Sequence, residues 1–122
     1  MRNKLINNFD ISADGQAIYA NGGDAYHGWV SRDGGRTWSE TLNLQVNGPI
    51  AVSPVGSNLV VFGAHNQLRR STDGLQTAQT VMQNDLAIRD IVFAPSNPSV
   101  VYSETDDYVL YRSDDAGLLG SN

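Results

Sequence analysis

Short runs of β-branched and aromatic residues alternate with polar turns along the whole chain, and no stretch shows a 3.6-residue apolar period. This pattern predicts β-strands throughout. The predicted strands form two groups of four and one of three: Phe9–Ser12, Ala17–Asn21, Gly28–Ser31 and Trp38–Leu44; Ile50–Ser53, Leu59–Gly63, Leu68–Ser71 and Thr77–Met82; Ile91–Ala94, Val100–Ser103 and Val109–Ser113. Little remains after them, so we expect the third group to lack most of its outer strand.

One polar, glycine-rich motif recurs towards the end of each group. It is SRDGGRTW at 31–38, STDGLQTA at 71–78 and SDDAGLL at 113–119. The serines of the three copies recur at intervals of 40 and 42 residues, and the segments around Asp10, Ala51 and Val92 align with one another as well. A fixed period of this length is typical of proteins built from structural repeats.

Each copy contains the residue types that a tight hairpin needs. Glycine adopts positive φ without a Cβ penalty, and Ser and Asp side chains accept hydrogen bonds from N–H groups that the loop leaves unpaired. A tryptophan then begins the outgoing strand of the first copy. The hairpin positions that we predict as structural are Ser31, Asp33, Gly35 and Trp38; Ser71 and Asp73; and Ser113, Asp115 and Gly117.

The first copy, S-x-D-x-G-x-T-W, resembles the Asp-box, or bacterial neuraminidase (BNR), repeat of sialidases, sortilin-type receptors, xyloglucanases and photosystem assembly propellers. The second copy lacks the tryptophan, and the third lacks both threonine and tryptophan. The resemblance implies an all-β fold in which antiparallel sheets of three to four strands form the blades of a β-propeller. It predicts a single arc over 1–122, a partial propeller with blades at about 4–45, 46–85 and 86–122.

Three blades are too few for a closed ring. A single blade cannot bury both of its faces, and closed propellers usually have about 4–8 blades. The end blades would therefore leave apolar faces in water. We expect a homo-oligomer, with a dimer of three-blade chains giving the six blades found in sialidases, or else completion by the remainder of a longer propeller.

Composition excludes several classes of partner. The formal charge is −5, and no basic stripe is present, which argues against nucleic acid and anionic membranes. No apolar run approaches the ~20 residues that span a bilayer, and the first residues do not form a signal peptide as they stand. Without cysteine there are no disulfides or thiolate metal sites, and the compartment stays undetermined.

The resemblance also implies where a ligand binds. In such propellers the hairpins lie on one face, and the turns between second and third strands lie on the other, which usually carries the ligand. The residues that this inference places on the ligand face are Tyr26, His27, His65, Asn84, Arg89, Asp90, Glu104, Asp106 and Asp107.

Each chemical reading of these residues has a structural alternative. The acidic run Glu104–Asp107 is either a calcium site, a pair of carboxylates for glycoside hydrolysis, or a solvated hairpin tip. His27 and His65 lack a clustered third ligand for zinc, and the group around Tyr26 and Trp29 is either a sugar-stacking platform or blade packing. We predict no catalytic set, no metal and no cofactor.

Two functions from different classes remain. The first is a non-catalytic binding or scaffold module that recognises a glycan or a protein. ISADGQ followed by an Asp-box also resembles propellers of phages and bacterial surfaces, so an extracellular or virion-associated location fits the resemblance. The second is a fragment of a sialidase- or xyloglucanase-like glycoside hydrolase, although the phenylalanine-arginine-isoleucine-proline signature of sialidases is absent. A purely structural assembly fragment is a third reading.

Overall fold

Eleven strands account for the regular structure of the chain in a computed structural model, which describes residues 6–22, 27–41, 44–83 and 86–115. The first sheet, in the order β1-β2-β3-β4, contains Ile6–Ile11, Ile18–Gly22, Gly28–Ser31 and Ser39–Glu40. The second, in the order β5-β6-β7-β8, contains Ile50–Val52, Val60–Ala64, Gln67–Ser71 and Gln79–Gln83. The third, in the order β9-β10-β11, contains Ile88–Ala94, Asn97–Thr105 and Leu110–Ser113.

All neighbouring strands pair antiparallel, and the described residues contain no helix. The predicted all-β class with sheets of three to four strands is confirmed. Accordingly, no helix in the described ranges could cross a lipid bilayer.

The predicted strand Trp38–Leu44 is wrong in extent, because of its described residues only Ser39 and Glu40 pair with β3. The Thr41 hydroxyl accepts a hydrogen bond from Gly28 N (2.7 Å), and Leu44 N donates to Thr41 O (3.3 Å). The chain therefore turns off the outer edge, and Leu44 is buried in the apolar core with the second sheet. Burying this leucine stabilises the fold more than extending an exposed edge strand would.

The first two sheets pack face to face. The side chains of Asp10, Tyr19 and Val30 lie opposite one another across β1, β2 and β3, and thus share one face of the first sheet. Tyr19 and Val30 pack there with Ile50 and Phe62 of the second sheet, and Tyr19 and Phe62 are completely buried. We call the face of a sheet that points along the chain order, towards the next sheet, its forward face.

The second and third sheets repeat this packing. Ala51 and Val61 on the forward face of the second sheet contact Ile91, Phe93 and Val101 of the third. We call the face that receives the preceding sheet the rear face. Two faces consequently have no neighbour among the described residues: the rear face of the first sheet and the forward face of the third.

Candidate binding surface

The turns of the sheets gather at two ends. At the first end, Gly34 N donates to Gln16 O (3.0 Å) and Gly74 N donates to Asn58 O (3.1 Å). Each β3–β4-type hairpin therefore lies against the first turn of its own sheet. We call this the hairpin end. It contains segments 12–17, 31–38, 53–59 and 71–78.

The first hairpin is held by one hydroxyl and one carboxylate. Ser31 Oγ donates to Asp33 Oδ1 (2.9 Å) and accepts from Gly35 N (2.8 Å). The Asp33 carboxylate accepts from the backbone N–H groups of Arg36 (3.0 Å) and Thr37 (2.8 Å) and from the Thr37 hydroxyl (2.6 Å). Trp38 Nε1 closes the loop by donating to Gly35 O (2.9 Å).

The second hairpin repeats this network on different residues. Ser71 Oγ donates to Asp73 Oδ1 (2.8 Å) and accepts from Leu75 N (2.9 Å), while Thr77 donates to Asp73 through its N–H and its hydroxyl. In the third copy the Ser113 hydroxyl likewise donates to Asp115 (2.5 Å). The predicted position Gly117 lies outside the described residues.

These hydrogen bonds favour the ionised carboxylates. Thr37, through its hydroxyl and its N–H, is the main cause that lowers the pKa of Asp33, and Thr77 in the same way lowers the pKa of Asp73 to about 2. The networks use both oxygens of each carboxylate within one turn. The hairpin aspartates are therefore placed to hold the loop, not to meet in a common site.

We expect the stability of the chain to fall as the pH drops from about 5 towards 2. The pKa of Asp73 is lower in the folded chain than the unfolded value of ~3.9, so its contribution is full above the unfolded pKa and is lost as the pH falls through the folded one. Urea unfolding followed by circular dichroism between pH 2 and 7 measures this. Asp73→Asn should be destabilised at pH 7 and should approach the wild type near pH 2. Parallel profiles for wild type and Asp73→Asn would contradict the prediction.

The opposite end gathers the strand connections. His65 N donates to Asn47 Oδ1 (3.0 Å), Ile88 N donates to His65 O (3.2 Å), and Asp106 N donates to Ala87 O (3.1 Å). These bonds join the connections of the second and third sheets into one surface. We call it the loop end, comprising segments 44–49, 63–66, 86–89 and 104–109.

An arginine–tyrosine–glutamate cluster lies on this surface. The Arg89 guanidinium lies 4.7 Å from the ring centroid of Tyr108, and Arg89 Nε is 3.7 Å from Glu104 Oε1. Tyr108 chiefly, and then the charges of Glu104 and Asp106, raise the pKa of Arg89 above its usual value. The structure thus brings three of the predicted residues, Arg89, Glu104 and Asp106, into one neighbourhood.

The other predicted residues are placed differently. His27 lies on the first sheet, with Nδ1 3.8 Å from Glu40 Oε1. Asp107 accepts a hydrogen bond from the Thr105 hydroxyl and so caps its own turn, while Asp90 accepts one from Ile91 N (2.9 Å). Tyr26 and Asn84 lie outside the described residues.

Sequence reasoning missed Tyr108. This side chain is 73% exposed, has a positive φ of 66° and covers Arg89. The usable signal was an aromatic residue directly after an acidic turn. The Thr105-x-Asp107 turn itself repeats the hydroxyl–carboxylate bond of the hairpins, as does Ser12-x-Asp14 (2.6 Å).

The loop-end cluster is a surface and not a pocket. A cleft of about 640 Å³ lies between the first two sheets beside their hairpins, and a hollow of about 460 Å³ lies among β1, β5 and β9. Neither is lined by Arg89, Glu104 or Tyr108. Within the described ranges, no group of three or more His, Asp or Glu side chains is arranged to hold a metal ion.

Solved structures with the same fold include two GH74 proteins and YCF48. The GH74 enzyme of Niastella koreensis is 22% identical with a TM-score of 0.76, and the match covers 95% of this chain and 22% of that one. The GH74 xyloglucanase of Xanthomonas campestris is 20% identical with a TM-score of 0.77, covering 95% and 23%. YCF48 bound to a D1 peptide is 22% identical with a TM-score of 0.73, covering 97% and 40%. All are β-propeller proteins.

The chain is a partial β-propeller. The predicted propeller fold is therefore confirmed, and the three sheets have the arrangement of propeller blades. The partial propeller spans about a fifth to two fifths of the length of these similar proteins. No protein-family model matches the sequence, and no curated protein matches it significantly.

Proposed function

We propose that this chain is a non-catalytic binding or scaffold module, a three-blade section of an Asp-box propeller whose ring is completed by a second copy. Its blades are residues of about 4–45, 46–85 and 86–122, joined in one arc. The two unpartnered end faces carry the proposal, because their exposed residues occupy positions that are buried between the sheets inside the chain.

The register of the sheets supports this directly. Phe9 and Ile11 on the rear face of the first sheet stand at the positions of Ile50 and Val52 in the second. Ile50 and Val52 are 5% exposed, whereas Phe9 is 58% and Ile11 is 44% exposed. Phe9 and Ile11 are already about half covered, so burying the remainder stabilises an association by roughly half of the ~1.5–3 kcal/mol of a fully exposed side chain, before the costs of binding.

The binding role is assigned to the loop end. Tyr108 offers an exposed aromatic face, Arg89 a cation held against it, and Glu104 and Asp106 offer acceptors. A flat surface of this kind suits a sugar ring stacked on tyrosine or the side chains of a protein partner. Arg89 and Glu104 are already paired with each other (Nε–Oε1 3.7 Å), which favours recognition over proton transfer.

The mass in solution tests ring completion. We expect light scattering over a range of concentrations to show a stable dimer of twice 13.2 kDa. A chain that stays monomeric at every concentration would show that further copies do not complete the ring. Completion would then have to come from the rest of a longer propeller.

A glycoside hydrolase fragment is the alternative, favoured by the likeness in fold to two GH74 proteins, one of them a xyloglucanase. Its acid and base would come from the carboxylates of Glu104 and Asp106. Incubation with xyloglucan separates the two functions. Binding without release of reducing ends, weakened in Tyr108→Ala, supports the module, whereas release of reducing ends that is lost in Glu104→Gln supports the enzyme.

A further inference from the structure

Four side chains of the first repeat bond to the backbone of the second: Asn21 Nδ2 donates to Gly48 O (2.6 Å), and an aspartate, a tyrosine and an arginine make the other three bonds. Asp10 Oδ2 accepts from Val52 N (2.8 Å), the Tyr19 hydroxyl donates to Ser57 O (2.5 Å), and Arg32 Nη2 donates to Gly74 O (2.9 Å). Burial raises the pKa of Tyr19, and the nearby Arg32 guanidinium opposes that rise. We call this aspartate, tyrosine and arginine the forward latch of the first sheet.

The forward face of the third sheet has the same three residue types. Tyr102 pairs with the residue directly before Ser113, as Tyr19 pairs with the residue directly before Ser31, so the two tyrosines are equivalent in register. Arg112 pairs with Tyr102 and so stands at the position of Arg70 in the second sheet, not at that of Arg32. Its guanidinium lies 6.0 Å from the ring centroid of Tyr102, and its Nε donates to Asp114 Oδ1 (2.7 Å). Asp90 lies on the same face, because it pairs with Glu104, two residues beyond Tyr102 on β10.

Asp90 also matches Asp10 in its local bonding. Asp10 Oδ1 accepts from the next backbone amide, Ile11 N (2.9 Å), and its other oxygen crosses to the second sheet. Asp90 Oδ1 accepts from its own next amide, Ile91 N (2.9 Å), and no described donor is bonded to its other oxygen. In the third sheet, Val92 occupies the position that Asp10 has in the first sheet. Asp90 lies on the same face, one step earlier along the strand.

The second sheet has neither an aspartate nor a tyrosine at the positions of Asp10 and Tyr19, which shows that these two residues are not needed for packing alone. Its equivalents of Asp10 and Tyr19 are Ala51 and Val61, and both are buried against the apolar rear face of the third sheet. A polar latch is therefore a property of particular faces. On the third sheet these polar residue types lie on a face that has no neighbour among the described residues.

From the shared position of Tyr19 and Tyr102 we propose that Tyr102, with Asp90 and Arg112 beside it, forms a second forward latch, which docks on the rear face of the first sheet of another copy of this chain. This inference rests on the proposed ring completion and specifies the contacts at the interface between the two copies. On the rear face, the carbonyl of Gly15 stands where that of Ser57 does, because Gln16 O and Asn58 O, one residue further along, both accept from the backbone N–H of a hairpin glycine. Phe9 and Ile11 of the rear face cover Val92, which is 50% exposed in one chain.

The test compares the same substitution at the two equivalent tyrosines. Tyr102→Phe should raise the Kd of the dimer about 10- to 100-fold, because a two-fold dimer contains the interface twice and loses two hydrogen bonds. It should leave the Tm unchanged at concentrations far below that Kd. Tyr19→Phe should do the reverse, lowering the Tm by about 4 °C while the Kd stays the same. Asp90→Asn and Asp10→Asn form a second such pair.

The outcomes separate this inference from the function on which it rests. A wild-type dimer whose Kd does not change in Tyr102→Phe or Asp90→Asn would overturn the latch and leave ring completion standing. A wild-type monomer in sedimentation equilibrium at every concentration would overturn both. Loss of stability together with association in Tyr102→Phe would show that Tyr102 acts within its own chain, which also rejects the latch.

Discussion

Replacing Leu75 with alanine is expected to lower the free energy of unfolding by about 2–4 kcal/mol, and replacing it with glycine by about 1 kcal/mol less. Leu75 is 3% exposed in the core between the first two sheets, and truncating such a leucine leaves a cavity. It also has a φ of 69°, where a side chain is strained and glycine is not. The first hairpin has Gly35 at this position, with a φ of 94°.

The sign of the alanine–glycine difference makes this prediction specific. Urea unfolding of Leu75→Ala and Leu75→Gly measures it, with Ala51→Gly as the matched control. Ala51 is buried in β5 without a positive φ, so glycine there should be the less stable residue by roughly 0.5–1 kcal/mol. If Leu75→Gly is less stable than Leu75→Ala, the strain at this hairpin is negligible.

A covalent dimer is expected to form when Val92→Cys and Ile11→Cys proteins are mixed under mild oxidation. Val92 stands at the position of Asp10, and Ile11 at that of Val52, and the Asp10 carboxylate is 2.8 Å from Val52 N inside the chain. A disulfide needs Cα atoms about 4.4–6.8 Å apart, so it reports this register closely. The natural chain contains no cysteine, so no other pairing competes.

The controls for this experiment use the same chain. Neither variant alone should form the dimer, since two Val92 positions do not meet when a forward face docks on a rear face. A mixture of Val55→Cys and Ile11→Cys should stay monomeric on a non-reducing gel, although Val55 is 78% exposed. Equal yields of the disulfide-linked dimer from the Val92 and Val55 mixtures would show that the crosslink forms by random collision.

The strands and hairpins could be predicted from the sequence because local chemistry specifies them. Serine and aspartate two residues apart satisfy the N–H groups of their own turn, so the motif determines its structure without help from distant residues. The outer strand after Trp38 was overestimated because the burial of Leu44 is a tertiary effect. Periodicity within one strand does not contain that information.

The site was predicted less completely. Arg89, Glu104 and Asp106 come together because β9 and β10 pair in a register with bulges, which sequence spacing does not reveal. Asp107 looked like part of an acidic ligand set, yet it belongs to a turn-capping bond with Thr105. Tyr108 escaped notice because a left-handed backbone at a tyrosine is rare, and this conformation turns its ring over Arg89.

An association of this chain in which a forward face docks on a rear face is head to tail. An interface that joins two unlike surfaces closes only when the rotation between copies divides a full turn, and otherwise it propagates as an open helical filament. The angle between neighbouring blades, set by the small inner residues such as Ala51, would then decide the assembly's size. A bulkier residue at such an inner position would change the angle between blades and turn a closed ring into a growing fibre.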